Sequence, residues 1–569
     1  MLKLVECVPN FSEGRDRGVI DAITRAITIV SGAKLLDVDP GADTNRTVVT
    51  FVGPPEAVVE AAFHAIATAA QLIDMTKHRG AHPRLGATDV CPFVPVTGVT
   101  MEECAELARQ LGRRVGTELG IPVYLYEHAA TREERRNLAA IREGEYEGLA
   151  AKLARGEWQP DYGPAAMNAR SGATVIGARE FLIAYNVNLN TMDRALAQDI
   201  ALTIRETGRL RRDERGEVVR DAAGNGLRVP GALRAVKAVG WVIAEKRLAQ
   251  VSINLVNYRI TPPHAAFEEV RKEARKRGLR VTGSELVGLI PREAMLLAGR
   301  YYLEQQGKSP GVPEAELIRV AAQSLGLSEL APFDPAKKII EYQVAGGGRG
   351  RLVTMGVGEF ADELSTDAPA PGGGSVAALL GGLAAALAAM VANLTVGKKG
   401  SETVAAEMKE VAVEAQAHKD FYLEAVDRDT DAFNAVMAAF RLPAGSDEEK
   451  AARAAAIAAA TKEATRVPLL VLERTLPVLA LARRAAERGN PNARSDAGVA
   501  GLAARAAARG AYYNVLINLK SLADHGWARE TLEAADHALA RAERAAAEIE
   551  AIVSEELAGA LEPGARAGG

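Results

Sequence analysis

The chain has 569 residues, enough for about three to four domains, which excludes a single small module. Its 69 Lys and Arg against 73 Asp and Glu leave a net charge of -4, too close to zero for a whole-chain field directed at nucleic acid. Cys7, Cys91 and Cys104 are its 3 cysteines, none in a CxxC pair, which excludes a disulfide framework and a cysteine-built zinc site.

The first residues, MLKLVECVPNF, lack the layout of a signal peptide, so a cytoplasmic location is expected. Period and punctuation then predict a strand over Leu2 to Val8, a turn at NFSEG and a helix over Asp16 to Val30. Short strands follow at LLDVD (35–39) and TVVTFVG (47–53), then a helix from Pro55 to about Lys77. A strand near Asp89 to Val94, a helix near Thr100 to Leu119 and a strand at Ile121 to Tyr126 close the stretch. The opening order is βαββαβ, the ferredoxin-like arrangement. Beyond a Pro/Gly-rich loop (Trp158 to Gly177) the order returns: strand Glu180 to Asn190, helix Asp193 to Glu206, strands Ala232 to Glu245 and Ala249 to Ile260, helix Pro263 to Arg277, strand Leu279 to Leu289. Arg209 to Arg228, charged and Gly-punctuated, is expected to be an exposed loop.

Near residue 345 the texture changes. VAGGGRGRLVTMG is a linker, and the Ala-rich remainder, with apolar positions at helical spacing (Leu469, Val471, Leu472, Leu476, Leu479, Leu481; Val515, Leu516, Leu519, Leu522), predicts a helical bundle that dimerises. Ser375 to Gly397 carries no charge and is long enough to span a membrane, but its apolar content is mostly Ala and Gly, which fits the buried centre of such a bundle. The expected architecture is therefore α+β, with two ferredoxin-like βαββαβ subdomains (1–178 and 179–344), a linker (345–357) and an all-α helical-bundle domain (358–569).

Several groups are candidates for chemistry. HRGAHPRLGATD (His78 to Asp89) holds two histidines at i, i+4, but Gly80 and Pro83 break the helix a zinc pair needs. His82 is thus a loop histidine, suited to moving a proton near neutral pH, with a plain surface histidine as the alternative. Asn10, Asp39, Asn45 and Arg46 lie at strand ends near it and suit a substrate amide or carboxylate, or simply turns. The loop Asp161 to Glu180 is bracketed by Gly163 and Gly172, which let backbone approach a flat ligand; the alternative is a linker. In the helical part stand PGGGS (Pro371 to Ser375), a helix start open to an anion; DRDTDAF (Asp427 to Phe433), whose three aspartates should raise the proton affinity of at least one of them or attract a cation, with a solvated acidic face as the alternative; and GNPNARSD (Gly489 to Asp496).

Together these segments resemble the formimidoyltransferase-cyclodeaminase family, over nearly the whole chain. The resemblance rests on LVECVPNFSEG, LLDVD, TNRTVVTFVGPP, HRGAHPRLGATDVCPFVPV, PVYLYE, FLIAYNVNL, EYQV, PGGGSVAALL, DRDTDAF and AYYNVLINLK. It implies a bifunctional transferase and lyase of histidine degradation and one-carbon metabolism. The first half would pass a formimidoyl group from N-formimidoyl-L-glutamate to nitrogen 5 of tetrahydrofolate. The second would close 5-formimidoyltetrahydrofolate to 5,10-methenyltetrahydrofolate with loss of ammonia. By the same resemblance His82 matches the transferase histidine and Asp429 the cyclodeaminase aspartate. The folate loop is Gly163, Pro164, Ala165, Ala166, Met167, Asn168, Ala169, Arg170, Ser171 and Gly172, its ends matching the family and its interior AMNARS departing from it. Tetrahydrofolate is a substrate, polyglutamylated in some members, with Lys398 and Lys399 as candidates to hold the tail; no metal is expected. The partners implied are the two small molecules and further copies of the chain, with neither nucleic acid nor membrane. The competing readings are a single-activity formimidoyltransferase with a structural helical dimerisation domain, or a non-catalytic folate-binding scaffold.

Overall fold

The computed structural model describes residues 3–42, 44–80, 82–344, 352–368 and 370–559; residues 345–351 of the expected linker lie outside it. The chain divides into an α/β unit, drawn from residues 1–295 and 325–347, and a helical unit, drawn from 296–324 and 348–569.

The α/β unit opens with β1 (Leu4–Cys7) and β2 (Asn10–Phe11), one strand interrupted around Pro9, which has no N–H to give a ladder. Asn10 therefore sits in a strand, where a turn was expected. Then come α1 (Arg17–Thr28), capped by the Asp16 carboxylate, β3 (Lys34–Gly41), β4 (Arg46–Gly53), α2 (Pro55–Leu72) and β5 (Thr88–Thr97). These form the ferredoxin-like core, in the order β3-β4-(β1, β2)-β5. α3 (Met101–Glu118) starts on a Thr100/Glu103 capping box and leads to β6 (Val123–Glu127). Two short helices, α4 (Leu138–Arg142) and α5 (Glu145–Leu153), precede β7 (Thr174–Ala178). β7 corrects the expectation of a loop to Gly177: it inserts parallel to both β5 and β6 and extends the sheet to seven strands.

Period-2 alternation decides what each face of this sheet does. Val5, Cys7, Val49, Phe51, Cys91 and Phe93 pack with Ile23, Val58, Ala62, Cys104 and Leu111 in one core under α1, α2 and α3. Glu6, Asn10, Val48 and Thr50, the alternate positions, face the other way. On that side the β5-β7-β6 end is roofed by α4 and α5, whose Ile141 and Leu149 meet Val90, Tyr124 and Val175.

The second βαββαβ follows as expected: β8 (Ile183–Leu189), α6 (Arg194–Ile204), β11 (Val236–Ile243), β12 (Leu248–Leu255), α7 (Pro263–Lys276) and β13 (Val281–Val287). Its sheet is antiparallel in the order β11-β12-β8-β13. Within the expected exposed loop two short strands, β9 (Arg209–Leu210) and β10 (Arg228–Val229), pair. Register sets Asn186, Asn188, Gln250, Ser252 and Glu285 on one sheet face, away from apolar Val187, Val251 and Ile253. They form a polar ladder: Gln250 Nε2 donates to Asn188 Oδ1 at 2.7 Å, Trp241 Nε1 to Gln250 Oε1 at 2.8 Å and Asn188 Nδ2 to Glu329 Oε2 at 2.6 Å.

The remaining helices are α8 (Arg292–Gln305), α9 (Glu314–Ser324), α10 (Pro335–Lys338), α11 (Ile340–Val344), α12 (Val357–Leu364), α13 (Gly373–Thr395), α14 (Ala405–Phe440), α15 (Asp447–Arg488), α16 (Arg494–Leu519) and α17 (His525–Gly559). Among the described residues α13 alone is long and apolar enough to cross a membrane. It instead packs against α14, α15 and α16. Its small residues make that possible: a Cβ at Gly381 would lie 2.4 Å from the Tyr422 ring. Such close approach buries an Ala-rich core in which Ala385, Ala388, Ala392, Ala412, Ala482 and Ala504 are all fully enclosed.

Candidate active sites

Two histidines in the α2–β5 loop look alike in sequence and differ in partners. His78 is buried, and both ring nitrogens are engaged. Nε2 donates to Asn45 O at 2.9 Å, and Nδ1 accepts from Arg84 Nε at 3.2 Å. Arg84 is itself held by Glu147 at 2.6 Å and Glu145 at 3.0 Å. His78 is a strut. Asn45, at φ +47, belongs to the same frame, its Oδ1 accepting from Gly14 N and its Nδ2 donating to Arg79 O. Of the two readings open for Asn45, substrate contact or turn, these hydrogen bonds support the turn.

His82 is half-buried, and its Nδ1 lies 2.7 Å from Pro83 O. A carbonyl only accepts, so Nδ1 carries the proton of the neutral ring and Nε2 presents its lone pair. Burial pushes the imidazole pKa below its ordinary value, helped by the cations Arg46 and Arg142 and opposed by the Pro83 carbonyl and Asp89. The ring is thus a neutral base at neutral pH. Asp89 reaches the site because Asn10 pairs with Val90 and Phe11 with Thr88, which leaves Asp89 as the extra residue of a β-bulge. Its carboxylate takes Leu85 N at 3.0 Å and an ion pair from Arg142 at the end of α4. Neither Asp89 nor Arg142 was singled out from sequence. Asp89 ended a quoted motif, and Arg142 carried no signal.

The 163–172 loop joins this site through its last residues. Ser171 O accepts Ala87 N at 2.8 Å, Leu85 O accepts Ala173 N at 3.1 Å, and Gly172 bridges Gly86. Asn168 folds the loop, taking Ser171 N on Oδ1 and Gly172 N on its carbonyl. The bracketing glycines are needed by the protein's own backbone. Gly163 (φ +82) would set a Cβ 2.4 Å from Ile121 O, and Gly172 (φ +68) one 2.2 Å from Leu85 O. Pro164, Ala165, Ala166, Ala169 and Arg170 are exposed, Met167 and Asn168 half-buried, Ser171 buried. Gly172→Ala is expected to cost on the order of 1–3 kcal/mol and to displace the His82 loop. A denaturant titration should show the α/β transition at lower midpoint, with cyclisation of supplied 5-formimidoyltetrahydrofolate retained.

In the helical unit Asp429 of α14 meets the first turn of α13. Ser375 Oγ lies 3.2 Å from Asp429 Oδ2 and 3.0 Å from Val426 O, so the one hydroxyl proton is shared between the carboxylate and the carbonyl. A Cβ at Gly374 would lie 2.2 Å from Asp429 Oδ1, so only glycine admits the carboxylate. Burial pushes the Asp429 carboxyl up from the usual carboxylate range, while the Ser375 hydroxyl and amide pull it down. Mutual repulsion of the three aspartates is not the cause. Asp427 binds the amides of Leu352 (2.9 Å) and Val353 (3.3 Å), and Asp431 is exposed. Asn514 of α16 stands beside Gly373, 3.6 Å from where its Cβ would be. GNPNARSD lies at the opposite end of α13, where Asn490 N donates to Thr395 Oγ1 and Asn490 Oδ1 accepts from Lys398. A 23-residue helix is roughly 35 Å long, so Lys398 and Lys399 do not reach Asp429 of the same subunit.

The family described as "Formiminotransferase domain, N-terminal subdomain" matches residues 4–179, "Formiminotransferase domain" matches 184–345 and "Formiminotransferase-cyclodeaminase" matches 356–537. Formimidoyltransferase-cyclodeaminase of Mus musculus is 46% identical over 532 residues, 93% of this chain and 95% of that protein. Glutamate formimidoyltransferase of Thermoplasma acidophilum is 46% identical over 312 residues, 54% of this chain and 95% of its own. Methenyltetrahydrofolate cyclohydrolase of Methylorubrum extorquens is 46% identical over 183 residues, 32% of this chain and 88% of its own. The chain belongs to the formimidoyltransferase-cyclodeaminase family.

Proposed function

We propose that His82 and Asp429 serve the two successive reactions of this bifunctional enzyme, each in its own unit. In the first, nitrogen 5 of tetrahydrofolate attacks the amidinium carbon of N-formimidoylglutamate. The tetrahedral species collapses when the attacking nitrogen loses a proton and the glutamate nitrogen gains one. A neutral imidazole with Nε2 open can do both. Residues 163–172 hold the tetrahydrofolate beside it, and the hydrogen bonds that Ser171 O and Ala173 N make with Ala87 N and Leu85 O of the His82 loop tie binding to chemistry.

In the second reaction nitrogen 10 attacks the formimidoyl carbon, and the amino group leaves as ammonia only if it is protonated. Asp429, its proton affinity raised by burial, supplies or relays that proton. The observation that carries the reading is the difference between the histidines: among the described residues His78 spends both nitrogens on the protein, His82 one. The test supplies N-formimidoylglutamate and tetrahydrofolate, and follows methenyltetrahydrofolate by absorbance and ammonia separately. Equal yields of both are expected. Formimidoyl product without ammonia would make the helical unit structural.

Self-association is part of the same proposal. Leu383, Met390 and Leu394 of α13, and Val499, Leu502, Tyr513 and Ile517 of α16, are exposed on two packed helices. Stripes of this kind mark an interface. Leu502→Glu with Ile517→Glu is expected to lower the mass seen by light scattering and leave formimidoyl transfer intact. An unchanged mass would remove α16 from the interface.

A further inference from the structure

On the face of the first sheet turned away from α1 to α3, two buried polar atoms have no partner among the described residues. Asn10 is 5% exposed; its Nδ2 donates to Val8 O at 2.9 Å, and its Oδ1 meets no donor. Reversing the amide would set oxygen against the Val8 carbonyl, so the orientation is determined. Arg46 Nε is likewise buried and unpartnered.

Register places both beside His82. Asp39, Val48, Asn10 and Val90 form one row across β3, β4, β2 and β5, and Arg46 stands two residues before Val48 on the same face of β4. Arg46 and Arg142 are the two cations that act on His82. Arg142 is committed to the Asp89 carboxylate. Among the described residues no carboxylate forms an ion pair with Arg46. A buried guanidinium N–H and a buried carbonyl oxygen left unpaired each cost free energy, and a ligand that supplies an anion to one and a donor to the other recovers it.

An N-formimidoyl α-amino acid offers that pair. Its α-carboxylate is one carbon from the nitrogen that carries the reacting group, and the formimidoyl end carries N–H donors. Resting on the assignment of formimidoyl transfer to His82, we propose that Arg46 binds the α-carboxylate of the donor through Nε and a terminal N–H, while Asn10 Oδ1 accepts from the formimidoyl N–H. The pair then selects donors by the carboxylate on the carbon bearing the formimidoyl nitrogen, and the γ-carboxylate adds little to that selection.

Two truncated donors separate the carboxylates: N-formimidoyl-2-aminobutyrate keeps the α-carboxylate, and N-formimidoyl-4-aminobutyrate keeps only the distal one. The wild type is expected to prefer the first in kcat/KM by at least about tenfold. Arg46→Met should lower kcat/KM for the first roughly 100-fold, mostly through KM, and leave the second within about threefold, so that the preference disappears. Arg46→Lys, which keeps the charge without the fork, should restore part of the preference, and the KM for tetrahydrofolate should hold in both variants. A wild type that favours the 4-isomer, or an Arg46→Met enzyme that keeps the wild-type preference, overturns the subsite. Absence of transfer from N-formimidoylglutamate itself in the wild type would instead overturn the His82 assignment.

Discussion

His82→Ala is expected to lower kcat/KM for formimidoyl transfer by roughly 10²–10⁴, the range in which a positioned general acid–base group acts. The same variant should close supplied 5-formimidoyltetrahydrofolate at the wild-type rate, because Asp429 lies in the other unit. The pH profile gives a second, independent readout. The imidazole works as a base and its pKa lies below the ordinary value of about 6.5. Base is lost as pH falls through that lowered value, so transferase kcat/KM should hold at neutral pH and fall only below about 6.5. A limb centred above 6.5, or one that persists in His82→Ala, would transfer the role to another group. His78→Asn serves as the contrast. His78 braces Asn45 and Arg84, so its replacement should cost stability, seen in the denaturant midpoint, and should not abolish the acidic limb.

Both βαββαβ units were legible because apolar residues recur along their strands and a capping Asp or Thr, or a Pro, marks where each helix begins. What escaped reading depended on partners distant in sequence. β7 is the five residues TVIGA, too short to carry a period, and it becomes a strand because β5 and β6 leave a parallel slot between them. α4 and α5 are short and take their place from Asn137 capping one and Gly144, at φ +84, opening the other. Reading NFSEG as a turn misplaced Asn10, because Pro9 breaks the strand for a single step rather than ending it. At the candidate sites the motifs marked segments whose geometry is set by residues elsewhere in the chain. Gly163 and Gly172 are fixed by the carbonyls of Ile121 and Leu85, contacts more than 40 residues away in chain order. The DRDTDAF aspartates sit on a helix, but which carboxylate is buried depends on where the amides of Leu352 and Val353 and the turn at Ser375 come to rest.

Asp429→Asn is expected to let 5-formimidoyltetrahydrofolate accumulate, with cyclisation lowered by roughly 10²–10⁴ and formimidoyl transfer unchanged. The amide keeps the volume and still accepts from Ser375, so a loss of rate reports the missing proton rather than a collapsed helix junction. Here the pH argument runs opposite to that for His82. A carboxyl acting as acid is lost as pH rises through its pKa, and burial has moved that pKa up from about 3.9. Cyclodeaminase kcat/KM should therefore decline as pH rises through the raised carboxyl pKa, while transferase kcat/KM declines as pH falls through the lowered imidazole pKa. Raising the pH of a running two-step assay should then build up the 5-formimidoyl intermediate in the wild type. Ser375 fixes the sign of a further shift. Its hydroxyl bonds the carboxylate form, so Ser375→Ala removes a stabiliser of the ionised state, raises the pKa further and should carry the alkaline limb to higher pH. A limb that moves down, or stays in place while the rate falls, would mean that Ser375 positions Asp429 without tuning it. Gly374→Ala needs no titration to interpret: its Cβ would occupy the space of Asp429 Oδ1, so the variant should lose cyclisation at every pH.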